Sequence, residues 1–155
     1  MGLEELVDWI EIRERKDIDH LLERFGHFHD SCLKESYLWT EAFVDSDLAM
    51  HMPDERDTKA RFLFQRQWKG PSAIELLFEG VTTFHLVPRA ANEDSVIYGA
   101  QLSFRDGLFY WAEDGDWTYE EKERFANVSW ISSAKLKWRD ASSWMGKRNR
   151  YGVIL

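Results

Sequence analysis

Apolar and polar positions alternate with a period of two along most of this chain, which predicts a protein built mainly of β-strands. Phe62, Phe64 and Trp68 alternate with Arg61, Gln65 and Gln67, the pattern of a half-buried strand. Ile74, Leu76 and Phe78 face one way, Glu75 and Glu79 the other. Gly80 then interrupts, and Phe84 and Leu86 resume out of phase, which predicts a bulge or bend. A further run, Val96, Tyr98, Ala100, Leu102 and Phe104, ends at Asp106-Gly107 and is followed by Leu108 to Trp111. An Asp-Gly pair between two such runs predicts a tight hairpin, because both residues tolerate positive φ. Leu33 to Val44, Leu48 to Met52, and a last run with Val128, Trp130, Ala134, Leu136 and Trp138 on one face bring the total to about eight strands.

The helical signals are fewer. Ile18, Leu21, Leu22 and Phe25 make an apolar stripe, with Asp17 as a cap and Gly26 at the left-handed position that ends a helix, so residues 17–25 are predicted helical. Leu3, Leu6, Val7 and Ile10 fit one helix face, while Trp9 to Arg13 fit a short strand equally well. Thr118 and Glu121 form a capping box that predicts a short acidic helix near 118–125. The expected class is α+β: mainly antiparallel sheet or sandwich, with one or two N-terminal helices. Residues 1–141 are read as one domain and 142–155 as a peripheral basic tail.

Composition narrows the function classes. With 155 residues the chain can bury a sizeable core, and eight Trp, ten Phe and five Tyr suit a sheet. Its single cysteine excludes an internal disulfide. No apolar run is long enough to cross a bilayer, and the acidic start, Met1-Gly2-Leu3-Glu4-Glu5, is unlike a signal peptide, so a cytoplasmic location and no membrane partner are expected. Net charge is −8, and six basic residues against one acid lie between Lys135 and Arg150. The remainder holds 14 basic and 27 acidic groups, a net −13 that disfavours nucleic acid and favours a basic protein partner or serves solubility alone. On a strand, Lys135, Lys137 and Arg139 would share one solvated face, the plainer alternative to a nucleic-acid strip.

Reactive side chains concentrate in Phe28 to Glu35. His27, His29, Asp30 and Cys32 are of the types that bind zinc, but no second ligand pair at zinc spacing exists, and no cofactor is implied. Ser31 or Cys32 with a neighbouring histidine has the atoms of a nucleophile and its base, yet adjacent residues of a strand point in alternating directions. The plainer reading makes His29 and Asp30 the hydrogen-bonded junction between helix and first strand, with Cys32 as core. Glu113-Asp114-Gly115-Asp116 fails the spacing of a calcium loop and reads as an acidic turn before a helix.

Three runs, Phe28-His29-Asp30-Ser31-Cys32-Leu33-Lys34-Glu35, Ile74 to Val81 and Ala134 to Arg139, resemble a group of small uncharacterised bacterial β-rich proteins. The layout is also similar to immunity proteins of polymorphic toxin systems. That resemblance implies a compact, non-enzymatic domain that occludes a basic toxin, and it transfers no active-site residue. His29, Asp30, Trp111, Glu113, Asp114, Asp116 and Trp117 are the contact residues such a reading expects, since aromatics anchor interfaces and acids match basic partners. An enzyme centred on His27, His29, Asp30 and Cys32, and a homodimer paired through a sheet edge, are the alternatives.

Overall fold

The structure, a computed structural model, describes residues 7–152. Among them one α-helix and nine strands form, every strand pairing being antiparallel. The strands are β1 (Ile10–Ile12), β2 (Ser31–Trp39), β3 (Phe43–Val44), β4 (Met50–His51), β5 (Lys59–Arg66), β6 (Ala73–His85), β7 (Gln101–Arg105), β8 (Leu108–Ala112) and β9 (Trp130–Asp140). Seven make one sheet in the order β2-β5-β6-β9-β8-β7, with β1 beside the far end of β9; β3 and β4 form a separate ribbon. It is a single large sheet, not a sandwich.

The helix, α1, runs Arg15–Arg24, two residues earlier than the stripe predicts. Asp17 does not stand at the cap; it lies inside the first turn, and its carboxylate accepts the N–H groups of Arg13 and Glu14 at 2.9 and 3.1 Å. Gly26 does end the helix in the left-handed region, at φ +57°. An added Cβ there would meet the Arg66 guanidinium at 2.8 Å. That guanidinium needs the room: it donates to the Arg24 and Pro71 carbonyls and lies 4.7 Å from the Phe25 ring, fastening the end of α1 to β5. The alternative of a helix through Val7 and Ile10 gives way to β1, and Leu3 and Leu6 lie outside the described residues.

Alternation decides the inner face. Phe62, Phe64, Ile74, Leu76, Phe78, Leu136 and Trp138 turn inward and are buried with Ile18 and Leu21 of α1 and with Phe25 just after it. The expected bulge sits after Gly80, where the β6–β9 register shifts between Val81 and Thr83. Asp106 and Gly107, at φ +52° and +80°, make the expected hairpin between β7 and β8. Val96 and Tyr98 fall outside β7, because Ile97 pairs with Ser31 and the Ala100 N–H bonds the His27 carbonyl before the ladder begins. The helix expected near 118–125 shortens to a 3₁₀ turn, Tyr119–Glu121, capped by the Thr118 hydroxyl. Trp130 also departs from its expected face: it packs with Tyr110 and Trp117, whereas Leu136 and Trp138 join the main core.

The outer face carries the largest surprise. Glu75, at the centre of β6, is fully buried. Its carboxylate takes Arg61 at 2.6 Å, Arg139 at 2.7 Å and the Tyr151 hydroxyl at 2.7 Å. Trp9 lies 4.0 Å over the Arg139 guanidinium, and Lys137 pairs with Glu79 at 3.1 Å, so this basic face is neutralised and partly covered. The tail from Ser142 was expected at the periphery. Instead Trp144 and Tyr151 pack on Leu63, Ala73 and Ala141, while Glu35 accepts the N–H groups of Arg150 and Tyr151. Gln65 holds the Trp144 and Gly146 carbonyls. Replacing Glu75→Ala leaves two guanidiniums without their partner and should cost about 3–5 kcal/mol of unfolding free energy. Tyr151→Phe removes one bond to a charged group and should cost about 2 kcal/mol. Urea unfolding measures both, and a smaller loss for Glu75→Ala than for Tyr151→Phe would show the clamp to be unimportant.

Candidate functional site

A cleft forms where three loops leave the sheet. After β8 the chain turns through Glu113 to Asp116, and Glu113 closes the turn twice: its N–H donates to the Ser129 carbonyl, and its carboxylate accepts the Ser129 N–H at 3.0 Å. Ser129 in turn grips the segment after β6, its hydroxyl accepting the Val87 N–H at 2.8 Å and donating to the Val87 carbonyl at 3.1 Å. The third wall is 93–98. Asp94 accepts the Val96 N–H and the Tyr98 hydroxyl, and the Ile97 N–H bonds Ser31 at the start of β2.

The cleft encloses about 630 Å³. Leu33, Leu86, Val87, Val96 and Ile97 supply apolar walls, and Glu93, Asp94, Glu113 and Asp114 line it with carboxylates. Arg89 is the one lining cation, and its guanidinium is engaged by the Glu93 carbonyl. Burial pushes the Glu113 carboxyl above its ordinary range; the bonds from Ser129 offset part of that, and the neighbouring Asp114 adds to it. The Tyr98 phenol is also raised, chiefly by its bond to Asp94. Such a site attracts positive charge and offers an apolar bed for the stem that carries it.

The expected contact residues divide. Glu113 and Asp114 line the cleft, and Asp116 is exposed just beyond, its N–H bonded to the Asp114 carboxylate. Trp111 and Trp117 are not surface anchors; each is 1% exposed. Trp111 packs among Phe28, Phe62 and Phe64, and Trp117 stands 5.2 Å from Trp130 under the 113–129 loop. Strand alternation separates two faces, but it does not reveal that a loop folds back to cover the second. Arg89, Glu93 and Asp94 were missed because residues 88–94 read only as a polar loop, and Tyr98 because it read as part of a strand.

His29 and Asp30 lie behind the 94–98 wall. The His29 ring bonds the Tyr98 carbonyl at 2.9 Å and the Asp30 carboxylate at 3.3 Å, and the Asp30 carbonyl accepts the Gln67 N–H. His27, Phe28 and Asp30 all adopt left-handed backbone, at φ +54°, +64° and +57°. The strain, roughly 1–2 kcal/mol for each non-glycine residue, is held by packing: Phe28 is fully buried against Phe25, Phe64 and Trp111, and its carbonyl accepts the Ser31 hydroxyl at 2.6 Å. This is a structural junction. His27, His29, Asp30 and Cys32 do not come together as ligands, for among the described residues no three His, Cys, Asp or Glu side chains gather around a common point. Cys32 is partly exposed rather than core.

Because the Glu113 carboxyl is raised in the folded state, its protonated form is favoured by folding. The stability it contributes is full below the unfolded carboxyl range and is lost as pH rises through the folded value. Glu113→Gln keeps an acceptor for the Ser129 N–H and does not titrate. Its stability relative to wild type should therefore rise between pH 4 and pH 7, read from urea midpoints at both; a fall over that interval contradicts the assignment. Comparison with models of protein families, with curated proteins and with solved structures gives no match for this chain, so the site stands on its own residues.

Proposed function

We propose that this protein is a non-catalytic, cytoplasmic protein-binding domain for a basic partner, acting in the manner of an immunity-type inhibitor of a bacterial toxin. One observation carries the reading: four carboxylates, Glu93, Asp94, Glu113 and Asp114, line a single apolar-walled cleft whose one lining cation is already engaged. A lysine or arginine of a partner can lay its methylene stem on Leu33 and Val96 and give its charged head to the carboxylates, where charge-assisted hydrogen bonds form. The surplus of acid over the chain, a net −8, adds steering at long range. Ser129, the hydroxyl beside Glu113, is occupied by Val87 in both directions, which favours binding over nucleophilic chemistry.

The test is co-expression with the product of the adjoining reading frame. A basic protein should co-purify, its association rate should fall as salt rises, and Glu93→Lys with Asp114→Lys should slow association about tenfold at low salt. Failure of any basic product to bind, or an association rate indifferent to both salt and charge reversal, overturns the reading.

A further inference from the structure

Between β2 and β5 the chain leaves the main sheet and makes the β3–β4 ribbon, pairing Phe43 with His51 and Val44 with Met50. The ribbon has no core of its own. Phe43, Val44, Met50 and Met52 are 57%, 52%, 62% and 71% exposed, and Leu48 at its tip is 84% exposed. Isolated large apolar side chains on a surface are ordinary. Here Phe43 stacks on His51 across one face of the ribbon while Val44 and Met50 pair across the other, with Leu48 at the tip. The exposed apolar surface is thus concentrated on this one arm.

The ribbon is nevertheless built firmly. The Asp45 carboxylate accepts the N–H groups of Asp47 and Ala49 at 2.9 and 3.0 Å and bonds the His51 ring at 2.7 Å. The Phe43 ring stacks on that imidazole at 4.6 Å, 5° from parallel. Leu48 itself sits at φ +67°, a conformation that costs a leucine roughly 1–2 kcal/mol and that asparagine or glycine adopts more easily. A strained leucine with nothing to pack against does not help the fold. Strain of this kind is kept where a surface presents a side chain to a partner.

Charge identifies the partner's chemistry. Residues 40–58 contain six acids (Glu41, Asp45, Asp47, Asp54, Glu55 and Asp57) against one base, Arg56. A second copy of this chain docked symmetrically on the patch would bring the same acids against themselves, at a cost in like-charge contacts. Glu41 is paired with Lys59 and Asp45 with His51, so Asp47, Asp54, Glu55 and Asp57 carry the surplus. An apolar arm flanked by acids instead matches an apolar cleft rimmed by lysine and arginine. We propose that the β3–β4 ribbon is the docking arm of this protein: Leu48 and Met50 insert into an apolar cleft, rimmed by basic residues, on a folded partner protein. This rests on the protein-binding reading and names the surface that anchors the partner.

A photoreactive benzoylphenylalanine placed in the full chain at position 48, at position 114 or at the exposed helix position 23 tests it in the native host cell. The expected result is an adduct from position 48 with a different protein of net positive charge. Binding of that protein, purified, should weaken at least about thirtyfold with Leu48→Asn and Met50→Ser. Leu48→Asn relieves the left-handed strain, so its unfolding midpoint should stay the same or rise while binding falls, which separates docking from folding. Adducts from position 48 only with a second copy, only with acidic proteins, or no more abundant than from position 23 overturn the arm. An adduct from position 114 without one from position 48 overturns the arm and leaves the binding reading intact; no adduct from any position removes both.

Discussion

A carboxyl group buried at the centre of a sheet must find its partners where it stands, and Glu75 imposes that condition on the whole outer face. It lies directly opposite Arg139 across the β6–β9 ladder and one diagonal step from Arg61 on β5. A slip of either neighbour by one residue would carry its guanidinium to the other face and leave the carboxylate buried and unpaired. The clamp thus favours one register among those the apolar alternation alone would permit. It also explains why the last residues matter: Tyr151 completes the carboxylate's hydrogen bonds, and the segment leading to it is tied down by Glu35 and Gln65.

The inner face depends on a different constraint, the fully buried ring of Phe28. Three left-handed residues around it are tolerated because that ring fills the space between α1, β5 and β8. The same junction aims the start of β2 along the 94–98 segment, through the Ser31–Ile97 bridge and the His29–Tyr98 bond. One wall of the acidic cleft is therefore set by core packing at some remove from its carboxylates. Glu113 is placed by the opposite wall, where Ser129 links two loops that are distant in sequence.

What could be read from the sequence follows the range of the interactions. Local signals are sufficient for Gly26, for the Asp106-Gly107 turn, for the disruption at Gly80 and for the inward Phe62, Phe64, Ile74, Leu76 and Phe78, because each depends on neighbours two to four residues away. Trp68, expected on the same face as Phe62 and Phe64, lies past the end of β5 and is exposed. The pairing of β1 with β9, the return of Tyr151 to Glu75 and the burial of Trp111 and Trp117 depend on partners that period-two alternation cannot specify. The candidate site was half legible for the same reason. Glu113 and Asp114 announce themselves as an acidic turn, whereas Arg89, Glu93 and Asp94 gain meaning only when their loop meets Ser129. In the sequence the exposed ribbon reads as the end of one strand from Leu33 to Val44 and a second strand from Leu48 to Met52. The break after Trp39 that frees it from the main sheet, and its lack of cover, are properties of everything that fails to reach it.

β9 is the shared partner of β1, β6 and β8, and it is the last strand among the described residues. A ribosome making this protein releases the β5–β6 and β7–β8 hairpins before the strand that joins them exists. Until residues 130–140 emerge, β6 and β8 each present an open edge, and the Glu75 carboxylate lacks the Arg139 half of its clamp. Vectorial synthesis therefore leaves two half-sheets waiting until β9 emerges to join them.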